Sequence, residues 1–60
     1  MSLPKDPVIL LSYINTQLRD SYASLDDLCH SLNLDRETLE QTMKKICYEY
    51  ESGNNQFVAF

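Results

Sequence analysis

The stretch Ser24–Ile46, SLDDLCHSLNLDRETLEQTMKKI, sets the tightest limit on what this chain can fold into. Leu25, Leu28, Cys29 and Leu32 recur at helical spacing and make one apolar face. Ser24 is an N-cap residue, and Asp27 three positions on approximates a capping box. Asp26 and Asp27 put negative charge in the first turn, where the helix dipole favours it. The helix is expected to stop near Asn33, because asparagine tolerates the left-handed backbone that ends helices. A second helix then restarts with Asp35 as N-cap and Leu34 and Leu39 at the two positions of a hydrophobic staple. Leu39, Met43 and Ile46 continue its apolar stripe, and Lys44 and Lys45 suit its carbonyl end.

A joint as short as Asn33–Leu34 leaves no room for the two helices to lie antiparallel. They are expected to cross steeply, as in a helix-turn-helix. Leu28-Cys29, Leu32-Asn33-Leu34, Asp35-Arg36-Glu37-Thr38-Leu39 and Met43-Lys44-Lys45-Ile46 together resemble the helix-turn-helix of bacterial winged-helix regulators. Cys29 stands where that pattern usually has Ala, and Asn33 where it usually has Gly. The matching positions are mostly core positions, so the resemblance speaks to fold more than to function.

Support for this pair comes from both sides. Met1–Lys5 reads as a short, partly mobile arm, and Asp6-Pro7 as a helix start with Asp at the cap and Pro in the first turn. A helix of about residues 7–19 follows, with Leu10, Leu11, Ile14 and Leu18 on the face that covers the pair. Val8, Ile9 and Tyr13 spread beyond that face; they are covered by the hairpin or form a subunit interface. Tyr22 is expected to tuck under the core from the loop after this helix. After Ile46 the period becomes two. Cys47–Glu51 reads as a strand, Ser52–Asn55 as a turn holding the chain's single Gly, and Gln56–Phe60 as the returning strand. A four-residue loop pairs Tyr50 with Phe57 and Tyr48 with Ala59, so these four close over the helices while Glu49 and Glu51 face out.

The fold class expected is therefore α+β, mainly α, in one domain over 1–60. Three helices (about 7–19, 24–32 and 35–46) precede a hairpin (about 47–51 and 56–60), and the whole resembles a winged helix-turn-helix. Sixty residues bury only about 60% of their unfolded surface, so a partner subunit would help stabilise the chain. Self-association into a homodimer is compatible with this. Cys29 and Cys47 match no metal-ligand spacing and are read as reduced thiols. Nothing resembles a signal peptide or a membrane-crossing run, which points to the cytoplasm and to no membrane partner.

The chain as a whole is also similar to a small family. Leu3-Pro4-Lys5-Asp6-Pro7, Asn15-Thr16-Gln17-Leu18-Arg19-Asp20, Ser24-Leu25-Asp26-Asp27-Leu28-Cys29, Tyr48-Glu49-Tyr50 and Asn55-Gln56-Phe57 resemble the short bacterial proteins of domain of unknown function family 4250. The resemblance implies bacterial origin and a free-standing domain, and brings no activity and no functional residues with it.

For nucleic acid, the 35–46 helix would be the reader. Arg36 and Gln41 could meet base edges, and Lys44 and Lys45 phosphates. Against this, Asp35, Glu37 and Glu40 balance the three cations of that helix, Glu49 and Glu51 lie on the wing, and the net charge of −4 opposes a phosphate backbone. For catalysis, His30 is a lone polar-face imidazole, and no nucleophile, base and orienting group can be assembled. No Gly-rich phosphate loop or metal-ligand cluster exists, so no catalytic residue, cofactor or metal is expected. Lys5-Asp6, Asn15 and Arg19-Asp20 could form a polar cluster on the first helix, in a supporting role. A non-catalytic protein-interaction or regulatory module remains, with Val8, Ile9 and Tyr13 as candidate interface and the hairpin edges as places where a strand could add. A DNA-binding regulator is the alternative.

Overall fold

A computed structural model describes residues 3–60 of the chain. Its elements are helices α1 (Pro7–Asp20), α2 (Leu25–Leu32) and α3 (Arg36–Lys44), then strands β1 (Tyr48–Glu51) and β2 (Gln56–Ala59). This is the expected α+β arrangement, mainly helical, with a terminal hairpin. Of the arm expected to be mobile, Met1 and Ser2 lie outside the described residues. Leu3 does not float free: it packs against the core.

Each helix begins where an acceptor side chain meets its first free amides. Asp6 accepts from the N–H of Val8 and Ile9, Ser24 from that of Asp27 and Asp35 from that of Thr38. Asn33 ends α2 in the left-handed region, at φ 56°. The N–H of Asn33 then reaches the carbonyl of His30, and that of Leu34 reaches Cys29 at 2.8 Å, closing a Schellman motif. The backbone therefore leaves α2 and enters α3 within Asn33–Asp35.

The core forms where the helices meet. Leu10, Leu11, Ile14 and Leu18 come from α1, Leu25, Leu28 and Cys29 from α2, Leu39 and Met43 from α3, and Phe57 from β2. Tyr48 and Tyr50 pack half-buried against this cluster, and Tyr22 does the same from its loop. The hairpin register is the expected one: Tyr48 faces Ala59, Glu49 faces Val58, Tyr50 faces Phe57 and Glu51 faces Gln56.

Three expectations are corrected here. The helix expected to reach residue 46 ends at Lys44, and Ile46 and Cys47 fold back in tight turns onto the carbonyls of Met43 and Lys44. Cys47 therefore sits at φ 63°, outside β1, because the chain must reverse before it can pair. In the hairpin loop Asn55 takes the left-handed position, at φ 54°. Ala59 pairs with Tyr48 as expected but stays exposed, its methyl being short.

What seats the hairpin is a set of amide side chains. The Nδ2 of Asn15 donates to the Phe57 carbonyl at 3.0 Å, and its Oδ1 accepts from the Phe57 N–H at 2.7 Å. A side chain of α1 thus pairs with the outer edge of β2 as a neighbouring strand would. Gln56 Nε2 returns a bond to the Asn15 carbonyl at 2.9 Å. Asn55 Nδ2 donates to the carbonyls of Leu18 and Tyr22 at 3.0 and 2.9 Å, and its Oδ1 accepts from the Tyr50 hydroxyl at 2.6 Å. That hydroxyl also accepts from the Leu25 N–H at 3.3 Å. The polar cluster expected on α1 does not form: Asn15 faces the hairpin, Asp6 caps the helix, and Arg19 and Asp20 pair with each other at the exposed far end.

Asn55→Ala should cost about 2–4 kcal/mol, since it strands part-buried partners and puts a Cβ-bearing residue without a local hydrogen bond at positive φ. Asn55→Gly should recover only the backbone share, about 1 kcal/mol. Urea denaturation of the three proteins measures both; equal stability of wild type and Asn55→Gly would show that the amide bonds contribute nothing.

Candidate functional site

The α3 surface is where a nucleic-acid reader would place its contacts, and its first cation is already held within the fold. Arg36 Nη1 donates to Asp26 Oδ1 of α2 at 2.7 Å. Its Nε and Nη2 both reach Glu40 Oε1, one turn along α3, at 3.4 Å. The guanidinium carbon stands 5.5 Å from the centre of the Tyr50 ring, within cation–π range. Hydrogen bonding to Asp26, followed by the charges of Asp26 and Glu40, raises the Arg36 pKa above its ordinary value. Arg36 therefore ties α2, α3 and β1 together. Gln41, Lys44 and Lys45 lie exposed along the rest of the helix, with Glu37 exposed in its first turn.

Val8, Ile9 and Tyr13 are not brought together as one face. Val8 and Ile9 are 61% and 58% exposed, whereas Tyr13 is half-buried and packs against the core. Helical spacing puts Val8 two turns from Asn15, on the flank that meets β2, and Ile9 on the side facing away from the core. Phe60, 65% exposed, was missed as a candidate. Because Asn55 meets the last turn of α1 and Phe57 meets Asn15, β2 runs back along α1. That course carries Phe60 toward the end of α1 that bears Val8 and Ile9. A terminal position gave no periodic signal, since periodicity needs residues on both sides.

Between the amino-terminal arm and α3 lies an open apolar groove of about 230 Å³, lined by Leu3, Leu10, Leu34 and Leu39 with Asp35, Thr38 and Thr42. The groups able to do chemistry differ in their exposure. His30 is exposed, Cys29 is buried with a thiol pushed up by burial, and Cys47 is exposed in its turn. Among the described residues, no polar or charged side chain is buried and no group of His, Cys, Asp or Glu has the arrangement of a metal site. No helix among them is long and apolar enough to cross a membrane.

In comparison with known proteins, residues 4–57 match the family described as Domain of unknown function (DUF4250). No curated protein and no solved structure matches the chain significantly.

Arg36→Gln should lower stability by about 1 kcal/mol, the size expected of exposed ion pairs plus an aromatic contact. Lys44→Gln and Lys45→Gln should stay within about 0.5 kcal/mol of wild type. Thermal unfolding of the three variants checks this, and equal losses would deny Arg36 its linking role. Iodoacetamide at neutral pH should modify Cys47 while sparing Cys29 until urea unfolds the chain, because the buried thiol is less accessible and less ionised. Peptide mapping of the alkylated protein reads that difference directly.

Proposed function

Because the chain belongs to the DUF4250 family, whose description specifies no activity, we propose from its own geometry that it is a non-catalytic protein-interaction or regulatory module acting in the cytoplasm. The observation that carries the reading is the set of exposed large apolar side chains, Val8, Ile9 and Phe60, on an acidic domain whose end of α1 is approached by the tail of β2. Apolar area left in water at one end of so small a domain favours association with another protein, a second copy included. A second copy would also add the burial that sixty residues lack.

The scaffold reading is winged-helix-like: α2 and α3 as the helix-turn-helix and β1–β2 as the wing. On such a scaffold DNA recognition is the competing function, through Arg36, Gln41, Lys44 and Lys45. What weighs against it is the engagement of Arg36 by Asp26 and Glu40. Reading a base would require that guanidinium to leave two carboxylates and an aromatic ring. The other two cations proposed for that surface, Lys44 and Lys45, belong to a chain of net charge −4, whose overall field repels phosphate. The burial of Cys29, and the lack of any hydrogen bond joining the side chains of His30, Cys29 and Cys47 among the described residues, support the non-catalytic part of the reading.

The module should give no salt-sensitive complex with duplex DNA in a low-salt mobility-shift assay. Tight binding abolished by Arg36→Ala combined with Lys44→Ala would replace this reading with the DNA-binding one. If Val8, Ile9 and Phe60 form a self-association surface, sedimentation velocity should show a dimer at raised concentration. Ile9→Ser combined with Phe60→Ser should shift that dimer to monomer without lowering the melting temperature.

A further inference from the structure

The two edges of the hairpin are treated differently by the rest of the molecule. Phe60 N–H bonds the Cys47 carbonyl at 3.0 Å, which makes Cys47 and Phe60 a hydrogen-bonded pair. Antiparallel pairs alternate, so Glu49–Val58 and Glu51–Gln56 are bonded, while Tyr48–Ala59 and Tyr50–Phe57 are not. The peptide groups of Phe57 and Ala59 therefore point away from β1, and those of Tyr48 and Tyr50 away from β2. Asn15 takes both Phe57 groups. On the β1 side, no hydrogen bond to the peptide groups of Tyr48 or Tyr50 is formed among the described residues, and β2 is the sole neighbour of β1 in the sheet.

We propose that the free edge of β1 accepts an extended basic peptide as an added strand, with a Lys or Arg of that peptide opposite Glu49. This rests on the reading of the chain as an interaction module and names the chemistry of its partner. Tyr48 and Tyr50 supply two N–H and two C=O groups in the spacing that a strand requires. Glu49 then falls at the non-bonded position, where facing side chains approach most closely. It is exposed, and the groups sharing its face are Glu51, Gln56 and Val58, with no cation among them. The Glu51 carboxylate is engaged by the Gly53 N–H and the Asn54 amide, so Glu49 is the group left for an incoming charge.

The same carboxylates select against a second copy at this edge. Antiparallel self-pairing centred on Glu49 sets Glu49 against its own counterpart. Centred on Tyr50, it sets Glu49 against Glu51 twice. Like charges directly across a strand pair are destabilising, and opposite charges are favourable. Both of these registers are thereby disfavoured against a basic peptide.

The test is a titration of the isotopically labelled full chain with the peptide Thr-Lys-Val-Lys-Thr, followed by amide chemical shifts. The Tyr48 and Tyr50 amides should move most. Glu49→Lys, an exposed change that leaves the core untouched, should weaken binding by about tenfold, since it replaces an attractive cross-strand pair by a repulsive one. The peptide N-methylated on alternate amides should lose binding on the methylated edge and keep it on the other. Absence of shifts at Tyr48 and Tyr50 would overturn the edge site, as would binding unaffected by Glu49→Lys. Shifts confined to Val8, Ile9 and Phe60 would overturn it too, while leaving the interaction reading standing. Concentration-dependent shifts at Tyr48 and Tyr50 without peptide would assign the edge to a second copy instead.

Discussion

The contact on which the rest depends is the pairing of the Asn15 side chain with the backbone of Phe57. A two-stranded hairpin has little stability of its own in water. Here its outer strand borrows a partner from a helix: one carboxamide supplies both the donor and the acceptor that a third strand would supply. This fixes how far along α1 the hairpin sits, and so directs Phe57 into the space between the three helices. Without that pin, Phe57 would have no reason to prefer one depth over another, and the core would lose the side chain that closes it.

A second layer of the same logic runs through Tyr50. Its ring meets Phe57 edge-on with centroids 5.7 Å apart, and its hydroxyl joins Asn55 to the start of α2. Arg36 lies over the other part of the ring and draws Asp26 and Glu40 in with it. Polar side chains therefore link all five elements around an apolar centre, each with its hydrogen bonds met. In a domain with so little core this is economical: the groups that seat one element also satisfy the carbonyls that another leaves open. It also gives α3's first cation a partner inside the fold. Arg36 is a structural fastener, while Lys44 and Lys45 stand exposed.

Much of the fold was legible because it depends on local chemistry. Ser24, Asp35 and Asn33 mark helix ends by what their own side chains and backbones can do, and the structure uses each in that role. Hairpin register followed from loop length and alternation. The misreadings concern groups that answer to distant constraints. Cys47 looked like a strand residue by alternation, yet the reversal from α3 into β1 takes it left-handed. The turn at Ser52–Asn55 was legible, but not that Asn55 would take its left-handed position and reach Leu18 and Tyr22. Of the candidate site residues, Val8, Ile9 and Tyr13 were legible as surplus on an overfull apolar helix, but not which of them the rest of the fold would leave exposed. The engagement of Arg36 was not, since Asp26 lies ten residues away on another helix.

By itself, the sequence determined the kinds of element, their order, their caps and which faces are apolar, because each of these is settled within a few residues by hydrogen-bonding capacity and periodicity. Only the tertiary structure decided that Asn15 and Asn55 are the hairpin's seat, that Arg36 is bound inward, and that one sheet edge is closed while the other is open. Those facts rest on partners up to 42 residues apart, and an amide or guanidinium carries no mark in the sequence of which distant group it will meet.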